Sequence, residues 1–314
     1  MPLPAVPLDS LSEQQLEAIE KARKIYTEAG GVLDEYELPF LVRHLVPHKW
    51  RAEKAQKSLK TTAEWRQSSG ANRIRALLLR NELKFAQFPG CLDMLGWMWL
   101  VASHGYARNG NVASFVQVGS MADPSVWLDG MSDEGFYEFN LHIIEYYLFR
   151  ADVESARQRT LVRSTVVYDC ANCSTKQFSW RLVRRLNTVL PLPDLYYPEL
   201  IGETVACNAP WIINFLWGAV RVVLSREIQA RVVICSKEST PDTVAALIDA
   251  SETPSFVLGH GSVASMTPEK SEELGFAALT DEQLDALLVN KSEPPQEYRI
   301  RPVRAVSGSA DLEA

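Results

Sequence analysis

The chain has 314 residues, of which 46% are hydrophobic and 23% are charged. This apolar content is sufficient for a folded core and excludes a wholly disordered chain. A formal net charge of -7 disfavours a nucleic-acid-binding protein, which needs a clustered basic face. Five cysteines are an odd number and fit a reducing compartment better than a secreted disulfide framework. The proline-rich start does not resemble a signal peptide, so we expect a cytoplasmic protein.

The first part of the chain predicts a helical subdomain. Residues 1–10 are expected to form a disordered leader. Apolar residues at helical spacing follow Ser12, a favourable N-terminal cap, and the glycine pair at 30–31 ends this first helix. Amphipathic patterns predict further helices over 35–46, 51–69 and 71–85. Together these helices define an N-terminal helical subdomain over 11–86.

Strands alternate with helices in the following lobe, which we place over 87–263. Runs of β-branched and apolar residues predict strands over 112–118, 164–169, 204–208, 231–235 and 255–258. The segments between and around them predict helices over 135–150, 175–190, 194–201, 210–224 and 241–250. Such alternation is typical of an α/β fold, and it predicts a mostly parallel five-stranded sheet with flanking helices. Residues 264–314 are polar and predict a largely disordered tail with one candidate helix over 280–289.

The most informative segment of the lobe is apolar. In the helix predicted over 210–224 only Asn214 and Arg221 are polar, so this helix is either buried on nearly all sides or faces lipid on one of them. Burial is the commoner arrangement in a folded domain, whereas the two tryptophans of the helix favour a membrane interface. A second aromatic-rich segment covers 94–101. The two segments are suited to line an internal apolar cavity.

The usual signatures of catalysis are missing from the sequence. It contains no glycine-rich loop that cradles a nucleotide and no Gly-x-Ser-x-Gly elbow. His44 and His48 share a helical face, but two histidines without a third ligand are weak evidence for a metal site. We therefore expect no catalytic residue, no metal ion and no cofactor, and we do not predict an enzyme.

One motif keeps an enzymatic alternative open. Cys170 and Cys173 form a Cys-x-x-Cys pair between a predicted strand and a predicted helix. A helix N-terminus at that place lowers a thiol pKa in dithiol oxidoreductases. Buried, unreactive cysteines are the competing interpretation. The alternative function is thus a dithiol oxidoreductase that uses these two residues.

Several motifs occur together in a characteristic order. Along the chain they are Arg-His-Leu-Val-Pro-His-Lys-Trp at 43–50, Glu-Trp-Arg at 64–66, Tyr-Tyr-Pro-Glu at 196–199 and Asn-Ala-Pro-Trp at 208–211 before the apolar helix. In this order they resemble the CRAL-TRIO lipid-binding domain of the phosphatidylinositol/phosphatidylcholine transfer protein type. The resemblance covers residues 35–262 and is most specific around the apolar helix.

The resemblance implies a protein that binds a lipid and transfers it between membranes, or presents it, without covalent chemistry. Its partners would be a phospholipid or another hydrophobic small molecule and a transiently contacted membrane surface, with protein partners unknown. The apolar helix would be a gate over the lipid cavity. By this resemblance the cavity and gate residues are Phe115, Ser164, Trp211, Phe215, Leu216, Trp217 and Val220.

The resemblance also implies a headgroup site made of His48, Lys49, Glu199 and Arg231. His48 stands where the family has an arginine, and Arg231 stands where it has a lysine. Lys49 and Arg231 would donate to a phosphate, and Glu199 would accept from inositol hydroxyls. Contacts for phosphatidylcholine carry over poorly, since only Ser164 is retained among them. A phosphatidylinositol-type lipid is therefore favoured, a sterol, retinoid or tocopherol stays open, and a lipid-sensing signalling or scaffold protein is a further alternative.

Overall fold

The structure is a computed structural model that describes residues 3–91, 99–101, 105–118, 129–175, 179–258, 272–275 and 280. Its helices are α1 (Glu13–Glu28), α2 (Glu37–Leu45), α3 (Ala52–Ser68), α4 (Ala71–Leu79), α5 (Asp133–Gln158), α6 (Trp180–Val189), α7 (Leu192–Tyr196), α8 (Trp211–Val220), α9 (Arg226–Gln229), α10 (Thr240–Leu247) and α11 (Ser255–Leu258). Its strands are β1 (Trp99–Val101), β2 (Val112–Gln117), β3 (Ser164–Asp169), β4 (Ile201–Cys207) and β5 (Val232–Ile234). Short 3₁₀ segments are Val46–His48, Phe85–Gln87, Arg221–Val223 and Ala250–Glu252.

The described strands form one sheet in the order β1-β2-β3-β4-β5. Strands β2 to β5 are parallel to one another, and β1 pairs antiparallel with β2 at the edge. Parallel neighbours need crossover connections, and the helices that alternate with the strands supply them. The α/β class predicted from the sequence is confirmed.

The sheet differs from the prediction in its strands. Its parallel part contains four strands rather than five, because 255–258 forms helix α11 and not a strand. A short apolar run cannot be distinguished from a helical turn by periodicity alone, and here Val257 is buried beside Val244 of α10. The antiparallel strand β1 comes instead from the aromatic segment, of which 94–98 lie outside the described residues.

The N-terminal helices follow the predicted order, with Ser12 capping α1 through a reciprocal pair of hydrogen bonds with Gln15. Helix α4 ends earlier than predicted and α5 extends further. The predicted leader also differs from the structure. Val6 and Leu8 are buried, and the carbonyl of Val6 accepts from the backbone N–H of Leu161 at 2.8 Å, so the described part of 1–10 is ordered. The candidate helix over 280–289 lies outside the described residues apart from Thr280.

Helices cover both faces of the sheet. On one face Val116 and Val166 pack with residues of α5 and α6. On the other face Val205 packs with residues of α10 and α11, among them Val244. A further cluster, which includes the fully buried Tyr26, lies among α1, α2 and α3. This alternation of faces decides which strand residues lie on the side of α8.

Buried ion pairs join the N-terminal helices to α5. Arg43 of α2 and Arg75 of α4 each contact a carboxylate oxygen of Asp152 at 3.1 Å. Arg66 of α3 donates to both oxygens of Glu145 at 2.7 and 3.0 Å. The exposed fraction of Arg43 is 1%, and Asp152 and Glu145 are completely buried. Because a buried charge without its partner is far costlier than a paired one, these contacts specify how the helices dock on α5.

Asp152→Asn is expected to lower the free energy of unfolding by about 3–5 kcal/mol, because it leaves Arg43 buried without a carboxylate partner and leaves Arg75 with Asp34 alone. Urea denaturation followed by circular dichroism measures this change. Glu53→Gln is the matched control, since its ion pair with Lys21 is exposed to solvent and such pairs contribute little. Equal stability of the two variants would contradict the role assigned to the buried pairs.

Candidate functional site

Helix α8 begins at a tightly bonded turn beyond the carboxyl end of β4. Asn208 has a left-handed φ of 50°, which asparagine adopts more readily than most residues. Its backbone N–H donates to Oγ1 of Thr240 at 2.8 Å, and its side-chain amide donates to Oδ1 of Asp169 at 2.8 Å and to the carbonyl of Val257 at 2.9 Å. Pro210 then caps the helix in extended conformation. The segment Asn208–Pro210, which we call the root of α8, is therefore fixed to β3, α10 and α11.

Helix α8 itself is exposed over much of its apolar surface. Of the predicted gate residues Val220 is buried, as is its helix neighbour Ile212. The predicted gate residues that keep an exposed surface are Trp211 (70% exposed), Phe215 (52%), Leu216 and Trp217. Burial on nearly all sides, one of the two arrangements open from the sequence, is therefore wrong. Full burial of one such side chain is worth about 1.5–3 kcal/mol, so this surface is costly in water.

The elements around α8 carry further exposed apolar side chains. They are Trp180 at the start of α6 (69% exposed), Leu195 in α7 (55%) and Val222 in the 3₁₀ segment after α8 (73%). The two oxygens of Asp194 accept from the backbone N–H and the hydroxyl of Ser225, at 3.0 and 2.9 Å, which ties α7 to the segment that follows α8. Exposed apolar residues grouped in this way are typical of membrane or partner contacts.

The sheet face behind α8 is incompletely covered. Ile212 packs with Tyr168 and Ala206 on this face. Ala206 and Ile234 are only half-buried there, although Val205, which points to the opposite face of the same strand, is fully buried. The predicted lipid cavity would occupy this side of the sheet, and as an enclosed space it remains a prediction. A small cleft among the described residues lies elsewhere, between the N-terminal helices and α5.

Two residues predicted to line the cavity lie on opposite faces of the sheet. Ser164 shares the face of Val166 and Tyr168, which is the α8 side, and its hydroxyl is buried without a hydrogen-bond partner among the described residues. Phe115 is fully buried with Val205 on the other face. Phe115 is therefore not a residue of the α8 side, since neighbouring positions in a strand point to opposite faces.

Glu199 and Arg231, two of the predicted headgroup residues, are in direct contact. Oε1 of Glu199 lies 2.9 Å from Nη2 of Arg231, and Oε2 lies 2.6 Å from Nη2 of Arg163. Arg231 also donates to the carbonyl of Ile201 at 2.7 Å. Burial alone would raise the pKa of Glu199, but the charges of the two arginines outweigh it and hold this pKa below its ordinary value of 4.5. Both carboxylate oxygens of Glu199 are thus engaged within the protein.

The other two predicted headgroup residues lie after α2. His48 ends the 3₁₀ segment Val46–His48 and is half-buried, and Lys49 is exposed with a left-handed φ of 52°. Among the described residues, no hydrogen bond or ion pair joins either of them to Glu199 or Arg231. The structure therefore brings two of the four predicted residues into contact and places the other two on a separate segment.

Two arginines of this site were not predicted. Arg163 is 3% exposed and directly precedes β3, and Arg43 donates to the backbone carbonyl of Glu199 at 2.8 Å. The sequence offered one signal for Arg163, its position at the entry to a predicted central strand. An arginine there is buried and needs a carboxylate partner. The sequence does not indicate which of the many acidic residues that partner is.

The Cys-x-x-Cys pair lies at the root of α8. Cys170 and Cys173 are free thiols with 3% and 7% exposure, and they pack with Ile212. Helix α6 begins only at Trp180, so the pair does not occupy the helix N-terminus that the sequence predicted. A hydrogen bond between the thiols, together with burial, raises the pKa of Cys170, and the same hydrogen bond lowers the pKa of Cys173.

The described residues provide neither a metal-binding cluster nor a membrane-spanning helix. Among the described residues, no group of three or more His, Cys, Asp or Glu side chains is placed to hold a metal ion. No described helix combines the length and the apolar character needed to cross a bilayer.

Fold and site together define an α/β domain whose sheet carries an exposed apolar helix at its carboxyl edge. Residues 97–259 match the family model of the CRAL/TRIO domain, which is just over half of the chain. The chain therefore belongs to the CRAL/TRIO domain family, and the resemblance seen in the sequence is confirmed.

Curated relatives share low sequence identity with the chain over most of its length. Protein real-time of Drosophila melanogaster is 21% identical over 259 residues, which are 80% of this chain and 37% of the relative. Two proteins of Arabidopsis thaliana are named phosphatidylinositol/phosphatidylcholine transfer proteins: SFH14 is 23% identical (73% of this chain and 38% of SFH14), and SFH7 is 20% identical (71% and 39%). The chain thus spans less than two fifths of the length of these relatives.

A solved structure supports the assignment of the fold. The crystal structure of Sfh5 matches this chain with a TM-score of 0.59 at 13% sequence identity, covering 80% of this chain and 88% of Sfh5. At this identity the match shows a shared fold.

Acid is expected to lower the free energy of unfolding by protonating Glu199. Because its folded-state pKa is depressed, its charge contributes stability at pH values above 4.5, and this contribution is lost as the pH falls through the lower folded value. Urea denaturation from neutral to acidic pH measures the effect. Glu199→Gln is expected to flatten this pH dependence, whereas Glu28→Gln, at an exposed ion pair with Lys24, should retain it. Identical pH profiles for wild type and Glu199→Gln would refute this assignment.

Proposed function

We propose that this chain binds a lipid and transfers it between membranes or presents it, without covalent chemistry, and that a phosphatidylinositol-type phospholipid is its favoured ligand. The observation that carries this proposal is α8, an apolar helix that exposes Trp211 and Phe215 although its root is fixed to the sheet. Membership of the CRAL/TRIO family and the names of the Arabidopsis relatives support the same class of ligand.

In this proposal α8 is a gate that opens at a membrane. Its inward contacts come from Ile212 and Val220, and its outward surface comes from Trp211 and Phe215. At a bilayer the outward side chains exchange water for hydrocarbon, which offsets the cost of separating Ile212 and Val220 from their neighbours when α8 moves away from the sheet. Docking and opening are then coupled, and the acyl chains pass between protein and membrane without crossing water. We place the protein in the cytoplasm with transient membrane contact.

The charge balance around Glu199 supports an anionic headgroup. Arg163 and Arg231 contribute two positive charges against the single carboxylate of Glu199, so the cluster carries a net positive charge. Arginine retains further donors for a phosphate after pairing with a carboxylate. Lys49, together with His48, would complete the site from the segment after α2. The positive balance favours phosphatidylinositol over lipids whose headgroup ends in a cation.

Trp211→Asp is expected to lower the rate of lipid transfer between vesicles about tenfold or more, because it replaces an apolar membrane contact worth about 1.5–3 kcal/mol by a charge. The fold should be unaffected, since Trp211 is 70% exposed. Transfer of a fluorescent phosphatidylinositol between vesicles measures the rate. Leu16→Asp alters a similarly exposed apolar residue of α1 (52%) and should transfer normally. Unimpaired transfer by Trp211→Asp would overturn the gate role of α8.

The ligand itself can be identified directly. Organic extraction of the purified chain followed by mass spectrometry is expected to yield phosphatidylinositol. Lys49→Ala should lower phosphatidylinositol transfer about tenfold, the typical value of a hydrogen bond to a charged group, without loss of stability because Lys49 is exposed. Lys54→Ala, at an exposed position of α3, is the control. Extraction of a sterol or another uncharged lipid would exclude the phosphatidylinositol preference.

A further inference from the structure

The Cys-x-x-Cys segment forms a turn that brings its two thiols side by side. The backbone N–H of Cys173 donates to the carbonyl of Cys170 at 3.1 Å, and Asn172 between them has a φ of 65°, which asparagine tolerates at this turn position. The backbone N–H of Ala171 donates to Oδ1 of Asp169 at 3.2 Å and supports the bend. Such a turn brings its terminal α-carbons within about 7 Å, a separation that overlaps the range of disulfides. Joining the two sulfurs therefore requires little backbone movement.

Helix α8 covers this pair of thiols. Ile212, the buried residue of its first turn, packs with both Cys170 and Cys173. The thiols are 3% and 7% exposed, so a reagent in solution reaches them only when side chains of this cluster move, and Ile212 is the buried one that α8 contributes. Trp211, the preceding residue, faces solvent. One turn of the helix thus carries both the cover of the thiols and the most exposed apolar side chain of α8.

The two thiols have different parts in the hydrogen bond between them. The hydrogen bond from Cys170 lowers the pKa of Cys173, although burial and the carboxylate of Asp169 oppose this effect. The same hydrogen bond, together with burial, raises the pKa of Cys170. Because the thiolate is the nucleophile in thiol chemistry, Cys173 is suited to attack an oxidant. Cys170 is suited to attack the oxidised sulfur of Cys173 in a second step.

We propose that Cys170 and Cys173 are a redox modification site, in which a hydroperoxide converts the two thiols into a reversible disulfide when the first turn of α8 moves aside. The inference rests on the turn geometry, the adjacent thiols and the packing of Ile212 against them. It goes beyond lipid binding, because the chemistry involves neither a lipid headgroup nor the residues around Glu199.

The reaction balances in two steps. The sulfur of Cys173 attacks the terminal oxygen of a hydroperoxide ROOH, an S–O bond forms, the O–O bond breaks, and the leaving alkoxide takes the thiol proton to give ROH. The sulfur of Cys170 then attacks the sulfenic sulfur of Cys173, an S–S bond forms, and the departing hydroxide takes the Cys170 proton to give water. The two thiols lose two electrons in total, and the hydroperoxide gains them.

The test treats the full chain with tert-butyl hydroperoxide and counts thiols after denaturation. Two of the five thiols are expected to be lost and to return with dithiothreitol, and peptide mass mapping should place the disulfide between Cys170 and Cys173. Cys91→Ser, a control for a buried cysteine in another cluster, should still lose two thiols. Survival of all five wild-type thiols would overturn the proposal.

Single variants test the assigned order of attack. Cys170→Ser retains the attacking thiol and is expected to accumulate a sulfenic acid that dimedone labels at Cys173. Cys173→Ser retains only the second thiol, and its labelling at Cys170 should be about tenfold weaker, because burial still raises the pKa of Cys170 and a thiol of raised pKa supplies little thiolate. Equal labelling of the two variants would contradict the assignment of Cys173 as the nucleophile.

Variants of α8 test the control of access. Ile212→Ala is expected to speed thiol oxidation about fivefold by uncovering the pair, and Ile212→Val should do so more weakly, which keeps the test valid should the alanine variant unfold. Asn214→Ala, at an exposed position of the same helix, should match wild type. Equal oxidation rates in wild type, Ile212→Val and a folded Ile212→Ala would exclude control by α8. None of these measurements contains lipid, so their failure is distinct from a failure of lipid transfer.

Discussion

The structure depends first on a set of buried charges that join the N-terminal helices to the sheet. Arg43 is at its centre, because it pairs with Asp152 of α5 and donates to the carbonyls of Glu199 and Val162 at 2.8 and 2.6 Å. One side chain thus connects α2 with α5 and with the segments that enter β3 and β4. Buried charges tolerate little displacement, since a lost partner is costly. The position of Glu199, and with it the cluster that contains Arg163, is therefore held from the helical side.

At the carboxyl edge of the sheet, helix α8 is held mainly by apolar contacts rather than by buried charges. At the root of α8, hydrogen bonds from Asn208 reach three elements, but the body of the helix has mainly apolar contacts and large exposed side chains such as Trp211. Apolar contacts are non-directional and can be exchanged for lipid at little cost, whereas the hydrogen bonds of the root cannot. A fixed root with an exchangeable body is what a hinged helix requires, and this contrast supports the gate role that we propose.

Local signals in the sequence were sufficient for much of the fold, and distant pairings were not. Ser12 and the glycine pair at 30–31 indicated the two ends of α1 correctly, because caps act over a few residues. The sequence could not assign Phe115 to a face of the sheet, because the face of a strand residue depends on its register with neighbours. The pairing of Arg163 with Glu199 joins residues far apart in the chain. No local pattern encodes such a pairing, and the same holds for Arg43 and Asp152.

Strand β4 connects the two ends of the proposed site. Glu199 lies just before it and Asn208 just after it, and its seven residues, Ile201–Cys207, extend over about 23 Å at 3.3 Å per residue. One leaflet of a bilayer has a hydrocarbon depth of about 15 Å, so an extended acyl chain fits along this strand. In the proposed function, a headgroup near Arg231 would direct the acyl chains along β4 toward α8. In that arrangement the thiol pair behind Ile212 would lie at the acyl end of the path, beside α8 and apart from the charged cluster around Glu199.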